Sequence, residues 1–88
     1  MKYDNEEVLR IVFQSYSLQI LKMIKQGPKR FGELRIEVKT RQTLSTRLAN
    51  LIEYGLIEVV PIKVKGRFAN YYRITKNGEH LLMGISKI

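Results

Sequence analysis

The sequence predicts a mostly helical α+β fold in which several short helices precede a β-hairpin and a closing helix. Apolar residues recur at the helical period of about 3.6 as far as Tyr54, and the period changes to two after Gly55. Glycine and proline stand where the periodic segments end. Because 88 residues suffice for one small core, we expect a single domain over residues 1–88.

The first predicted helix, residues 5–14, is apolar on more than one side. Asp4 or Asn5 can cap it, and Glu6 and Glu7 suit the positive end of its dipole. Its apolar residues are Val8, Leu9, Ile11, Val12 and Phe13. Such a helix either packs on two sides within one chain or meets a second copy of the chain, and we favour the second copy.

Two further helices follow. The first opens at Ser15-Tyr16-Ser17 and ends at Gly27-Pro28, after which Lys29-Arg30-Phe31 is extended and can add a small strand to a sheet. The second is short, spans Gly32 to Glu37, and is separated from Thr40 by only Val38-Lys39. Helices joined this tightly must cross steeply, as in a helix-turn-helix. The residues predicted to face inward are Leu18, Ile20, Leu21, Ile24, Phe31, Leu34 and Val38.

Residues 40–54 form the helix around which the rest of the chain is organised. One stripe is apolar, comprising Leu44, Leu48, Leu51 and Ile52. Thr40 is expected to accept a capping bond from the amide of Gln42 or Thr43, and Gly55 supplies the left-handed residue that ends the helix. Acids are absent from Lys39 to Ile52, whereas a solvated helix ordinarily mixes acids with bases. The opposite face therefore suits a phosphate-lined groove.

A hairpin with a basic tip follows over residues 57–74. Its two β-branched and aromatic strands flank a turn at Lys65-Gly66-Arg67, and Pro61 marks an edge strand or a bulge. Tyr71 and Tyr72 face opposite ways, so we expect one in the core and the other outside. Thr75 caps a closing helix over residues 76–86, whose apolar residues are Leu81, Leu82 and Ile85.

The formal net charge of +8 predicts an anionic partner such as nucleic acid or an acidic membrane surface. Between Lys39 and Lys76 the only acids are Glu53 and Glu58, against eight bases. The chain has no cysteine, which excludes disulfides, a Cys-ligated zinc and a thiol sensor. No apolar run approaches the roughly 20 residues that span a bilayer, and no secretory signal opens the sequence. We expect a soluble, cytoplasmic, nucleoid-associated prokaryotic protein.

Catalytic chemistry is not indicated. His80 is the only histidine, and Glu79 alone does not complete a metal site beside it. The sequence also offers no paired acids, nucleophile constellation or glycine-rich phosphate loop. We therefore predict neither an enzyme nor a cofactor.

Three helices, a tight turn and a basic hairpin together predict a winged helix-turn-helix, with a two- to three-stranded wing and additional terminal helices. The helix at 40–54 fits the major groove, and the wing at 57–74 then reaches the DNA backbone or the minor groove. The predicted base-contacting residues are Arg41, Gln42, Thr43, Thr46, Arg47 and Asn50. The predicted backbone contacts are Lys39, Ser45, Lys63, Lys65, Gly66 and Arg67.

Several runs of the sequence resemble the HxlR-type branch of the MarR-like winged-helix transcriptional regulators. They are LQIL at 18–21, GPKRFGEL at 27–34, LSTRL at 44–48, EYGLI at 53–57 and YRITKNG at 72–78. The resemblance covers Ser17 to about Leu82 and implies a dimeric regulator that binds a pseudo-palindromic site. Those regulators usually have a longer closing helix, and many have an N-terminal cysteine, both of which this sequence lacks. We expect residues 5–14 and 76–86 to contribute to the dimer.

The leading interpretation is a homodimeric, sequence-specific regulator that binds double-stranded DNA. One alternative is a winged-helix protein-interaction module, which outward-facing Ile62 and Val64 would favour. Another is a nonspecific nucleic-acid-binding or architectural protein, which would bind many sequences with similar affinity. The sequence predicts neither the operator nor whether an effector ligand exists.

Overall fold

The computed structural model describes residues 5–86 and confirms the mostly helical winged helix-turn-helix. Its helices and strands are, in order, α1 (Asn5–Val12), α2 (Ser17–Lys25), α3 (Phe31–Leu34), α4 (Arg41–Glu53), β1 (Ile57–Val64), β2 (Arg67–Ile74) and α5 (Lys76–Ser86). α3, the turn after it and α4 form the helix-turn-helix, and β1 and β2 form the wing.

The buried apolar side chains form one cluster to which every helix contributes. Its members are Val8, Val12, Ile20, Leu21, Ile24, Leu34, Val38, Leu44, Leu48, Leu51, Leu56, Ile57 and Leu82. Full burial of one such side chain stabilises the fold by about 1.5–3 kcal/mol, so this cluster is the main source of folding free energy. The leucines of α4 in this cluster, Leu44, Leu48 and Leu51, hold that helix against the core, and the opposite face of α4 is exposed to solvent.

Several helix boundaries differ from the predictions. The first helix ends at Val12 instead of residue 14. The second begins only at Ser17, because Tyr16 adopts a left-handed conformation with φ of 70°. The third is a single turn from Phe31 to Leu34, although two turns were predicted. Asp4, the alternative cap of the first helix, lies outside the described residues.

Ile52 is not part of the core, contrary to the prediction. Its side chain is 39% exposed, whereas Leu44, Leu48 and Leu51 are buried. At 3.6 residues per turn Ile52 lies about 80° around the helix from Leu44, which places it at the edge of the leucine stripe. The buried stripe is therefore narrower than the apolar pattern suggested.

The two ends of α4 are held differently. Gly55 has φ of 73°, and the bonds from Gly55 N to Ile52 O and from Leu56 N to Leu51 O close the helix at its end, as predicted. At the start, the carbonyl of Thr40 accepts from the amide of Leu44 over 3.1 Å. The Thr40 hydroxyl makes no capping bond within the described part of the chain, so the predicted side-chain cap is wrong.

The wing is a regular antiparallel hairpin. Its register runs without interruption from Ile57 opposite Ile74 to Val64 opposite Arg67, so Pro61 introduces no bulge. In a sheet of two strands both strands are edges, which is where proline is tolerated. Lys65 and Gly66 form the turn with φ of 51° and 82°, the pair of positive values typical of a type I′ turn.

An isolated bridge adds one residue pair to this sheet. The amide of Lys29 donates to the carbonyl of Tyr72 over 3.0 Å, and the amide of Tyr72 donates back over 2.8 Å. The segment after Pro28 thus joins the wing as predicted, but only through Lys29. The start of α3 is thereby fixed beside β2. Phe31, predicted to be extended, is instead the first residue of α3, because the Glu33 carboxylate accepts from the amide of Arg30 and caps the helix there.

Candidate nucleic-acid interface

The six residues predicted to contact bases all lie on α4, but they fall into two groups. Arg41, Gln42 and Thr46 are exposed, together with Ser45 and Ala49. The other three are half-buried and lie along one side of the helix, namely Thr43, Arg47 and Asn50. Only the first group forms an open polar ridge.

The half-buried group faces the turn between α1 and α2. The Nε of Arg47 donates to the carbonyl oxygen of Ser15 over 2.8 Å. The Nδ2 of Asn50 donates to the Oε1 of Gln14 over 3.3 Å. These bonds hold one side of α4 against the N-terminal part of the chain, so the turn fixes the orientation of two candidate base contacts.

A shallow recess of about 300 Å³ lies beside the start of α4. Its lining residues are Tyr16, Glu37, Val38, Lys39, Thr40 and Thr43. Lys39, predicted to contact the DNA backbone, is exposed and lies at this recess beside the acid Glu37. The recess therefore separates the turn before α4 from the turn between α1 and α2.

The tip of the wing brings its predicted backbone contacts together. Lys63, Lys65, Gly66 and Arg67 are all exposed. Lys63 pairs across the strands with Phe68, and its Nζ lies 5.9 Å from the centroid of that ring. Phe68 itself is 70% exposed, so the tip offers both charge and apolar surface.

Away from the tip of the wing, the basic side chain of Arg73 forms an ion pair with Glu58. The Nη2 of Arg73 lies 2.7 Å from the Oε2 of Glu58, and its Nε bonds the same oxygen over 3.0 Å. Both side chains remain about half exposed, so the pair contributes little to folding, on the order of 0–1 kcal/mol. The basic character of the interface thus rests on the start of α4 and the wing tip.

Arg30, which was not among the predicted site residues, lies beside the wing. Its Cζ lies 5.9 Å from the ring centroid of Tyr71, on the face of the wing opposite Tyr72, which packs against the core. The opposite orientation of the two tyrosines is as predicted. The extended segment predicted at residues 29–31 was the signal in the sequence that could have identified Arg30. Once Lys29 pairs with Tyr72 in an antiparallel bridge, the next residue, Arg30, lies opposite Tyr71.

Neither a metal-binding group nor a membrane-spanning helix is found among residues 5–86. His80 is exposed, and no group of three or more acids, histidines and cysteines is arranged to hold a metal ion in that range. Within the same residues no helix is both long and apolar enough to cross a membrane. The exposed polar ridge of α4 and the basic wing are the surfaces that define this protein's class, a winged helix-turn-helix protein with a basic interface.

The chain belongs to the HxlR-like helix-turn-helix family, whose model matches residues 11–88. The resemblance inferred from the sequence is thereby confirmed. The chain is also 34% identical over 88 residues to uncharacterised HTH-type transcriptional regulators of Mycobacterium tuberculosis (Rv3095) and Mycobacterium bovis (Mb3122). The match covers 96% of this chain and 55% of each relative, so the chain spans about half the length of these proteins.

Solved structures of regulators share the fold. The reduced form of the transcriptional regulator YodB from Bacillus subtilis superimposes with a TM-score of 0.84 at 20% identity, covering 99% of this chain and 86% of that one. A MarR-family regulator from Enterococcus faecalis gives 0.79 at 22% identity, with coverages of 99% and 84%. YtfH from Salmonella typhimurium, a putative transcriptional regulator by its name, superimposes with a TM-score of 0.76 at 24% identity, covering 98% of this chain and 78% of that one. At these identities the likeness concerns the fold alone.

Proposed function

We propose that this chain is the DNA-binding part of a transcriptional regulator that recognises a specific double-stranded sequence. The observation that carries the proposal is the exposed ridge of Arg41, Gln42 and Thr46 on α4, a helix without acids before Glu53. A helix of this kind fits the major groove, which is about 12 Å wide. The basic tip of the wing would then contact the backbone or the minor groove.

The residues divide into roles by their chemistry. Arg41 or Arg47 would donate two bonds to one guanine, and Gln42 or Asn50 would pair with adenine. Because the Nε of Arg47 already bonds Ser15, only its terminal nitrogens would reach a base. Thr43 and Thr46 complete the proposed base contacts. The proposed backbone contacts are Lys39, Ser45, Lys63, Lys65, Gly66 and Arg67.

The active form would be a homodimer built by the two terminal helices. Val8 and Val12 of α1 are buried, while Leu9 and Phe13 are 38% and 64% exposed. Met83 of α5 is 50% exposed. These apolar side chains support a contact between copies through residues 5–14 and 76–86. Two recognition helices would then lie about 34–36 Å apart, matching half-sites one helical turn apart.

Residues 1–88 would form one DNA-binding domain that acts on the nucleoid in the cytoplasm. Footprinting of the DNA upstream of its own gene, together with selection from random duplexes, tests it. We expect a protected pseudo-palindrome with half-site centres about 10 base pairs apart. Selection that enriches no sequence would contradict specific recognition and favour a nonspecific binder.

A second candidate is a protein-interaction module that uses the wing. Ile62 and Val64 lie on the same face of the hairpin, and Val64 is 41% exposed. A photo-crosslinking residue at position 64 would test it in cells. A single crosslinked protein, lost in Ile62→Thr with DNA affinity unchanged, would support this candidate, whereas crosslinks to DNA alone would contradict it.

A further inference from the structure

A basic cleft of about 540 Å³ lies between the start of α3 and the tip of the wing. Its lining residues are Arg30, Val64, Lys65, Arg67, Phe68 and Ala69. Three of these residues are cations, three are apolar, and none is acidic. Such a lining matches an anion that also carries apolar surface.

Arg30 is held in place at this cleft from several sides. Its guanidinium lies over the ring of Tyr71, and its backbone amide donates to the carboxylate of Glu33 over 2.9 Å. The preceding residue, Lys29, makes the two-bond bridge to Tyr72. Arg30 is exposed, so the N–H groups of its guanidinium are open to solvent, where they can bind a phosphate through two bonds.

The position of Arg30 also connects the two halves of the proposed interface. The next residue, Phe31, has its ring centroid 5.9 Å from the guanidinium carbon of Arg41, in the first turn of α4. The start of α3 therefore lies between the start of the recognition helix and the wing. A DNA strand that leaves the groove occupied by α4 and runs toward the wing would pass along this cleft.

We propose that the cleft binds a backbone phosphate of the DNA strand, with Arg30 as its principal ligand and Lys65 and Arg67 opposite. This inference rests on the proposed function. The apolar side chains of Val64 and Ala69, which lie on the same face of the hairpin, would pack against the deoxyribose. The same cations would also suit a free phosphate ion, so the test separates these two sources.

The first experiment compares the affinities of four proteins for the selected duplex and a scrambled one. We expect Arg30→Ala to bind both duplexes about tenfold more weakly and to lower the slope of affinity against salt by about one, because one phosphate contact is lost. Arg30→Lys, which keeps the charge but not the planar fork, should fall in between. Lys22→Ala, which removes an exposed base from α2, should match the parent.

The second experiment locates the phosphate. Neutral methylphosphonates replace the phosphates of the selected duplex one at a time. The affinity of the parent should fall about tenfold when the methylphosphonate stands at one position beside a half-site. The affinity of Arg30→Ala should not fall further there, since the contact is already absent. A parallel titration with inorganic phosphate, followed by NMR, should show no saturable shift at residues 30, 65 and 67 up to millimolar concentration.

The possible results separate this inference from the proposed function. The cleft does not bind DNA if Arg30→Ala has the same DNA affinity as Lys22→Ala. The same conclusion holds if Arg30→Ala is weakened further by a methylphosphonate at every position tested, as the parent is. Saturable binding of inorganic phosphate that requires Arg30, with DNA affinity unchanged, would assign the cleft to a free anion instead. If the parent binds no duplex, the proposed function fails together with this inference.

Discussion

The hydroxyl of Thr75 donates a hydrogen bond of 2.5 Å to the carbonyl oxygen of Gly55 and accepts one from the amide of Gly78 over 3.1 Å. One side chain thus joins the residue that ends α4 to the first turn of α5. The amide of Thr75 also donates to the carbonyl of Leu56 over 3.0 Å. The end of α4 is therefore fixed to the closing helix, α5.

Thr75→Val should destabilise the protein by about 1–2 kcal/mol, because it removes both the cap of α5 and the bond to Gly55. Thr75→Ser keeps the hydroxyl and should reduce the free energy of unfolding much less. Urea unfolding of the two variants measures the difference. Equal stability of the valine and serine variants would show that the hydroxyl contributes nothing.

Gly78→Ala should destabilise the protein by roughly 1–3 kcal/mol through overpacking. A Cβ at this position would overlap the carbonyl oxygen of Leu56 and lie 2.7 Å from Cγ1 of Ile74. Gly84, in the same helix, has nothing within 4 Å of such an atom. Gly84→Ala should therefore stabilise α5 by about 0.5–1 kcal/mol. Thermal unfolding that shifts both variants in the same direction would contradict this packing.

Arg47→Ala should cost roughly 1–3 kcal/mol of affinity on the specific site and relax the base preference there. The physical reason is the loss of a guanidinium that the carbonyl of Ser15 orients. Competition binding against single-base variants of the site measures the preference. Equal losses on specific and random DNA would show that Arg47 only positions α4 against the turn at Ser15.

Lys65→Ala should weaken binding to all sequences alike and lower the salt slope by about one. Lys65 stands exposed at the tip of the wing, where it would contact phosphate and no base. Lys25→Ala, at an exposed position near the end of α2, is the matched control. A change of base preference in Lys65→Ala would assign it a role in recognition instead.

Phe13→Ser should shift the protein from dimer to monomer without unfolding it. Phe13 directly follows α1 and is 64% exposed, so the change costs the fold little. Ile36→Ser removes an even more exposed apolar side chain, 75% exposed, from the turn after α3 and should leave the dimer intact. Sedimentation equilibrium of both variants measures the result, and identical association would refute the proposed interface.

The regular elements follow from short-range patterns, which is why the sequence predicted them. The leucines at 44, 48 and 51, the change of period after Gly55 and the turn at Lys65-Gly66 are all local signals. Ile52 lies at the edge of the leucine stripe, where the apolar pattern alone does not decide whether a side chain is buried. The left-handed conformation of Tyr16 lies in the turn between α1 and α2, where no periodic pattern is present.

The candidate site was predictable in residue type and less so in arrangement. The absence of acids from Lys39 to Ile52 and the basic wing indicated an anionic partner. The structure was needed to show that Gln42 and Thr46 are exposed, whereas Arg47 and Asn50 bond the turn between α1 and α2. Arg30 acquires its place through Tyr71, which is distant along the chain. Contacts between residues this far apart in sequence follow from the tertiary fold and leave no local pattern.

The most direct measurement of the central claim is a titration of the parent protein against the footprinted upstream duplex and its scramble, at about 50 and 200 mM salt. Specific recognition by α4 predicts that the upstream duplex binds at least ~1000-fold more tightly than the scramble. Equal affinities that fall steeply with salt would contradict it and indicate a nonspecific binder.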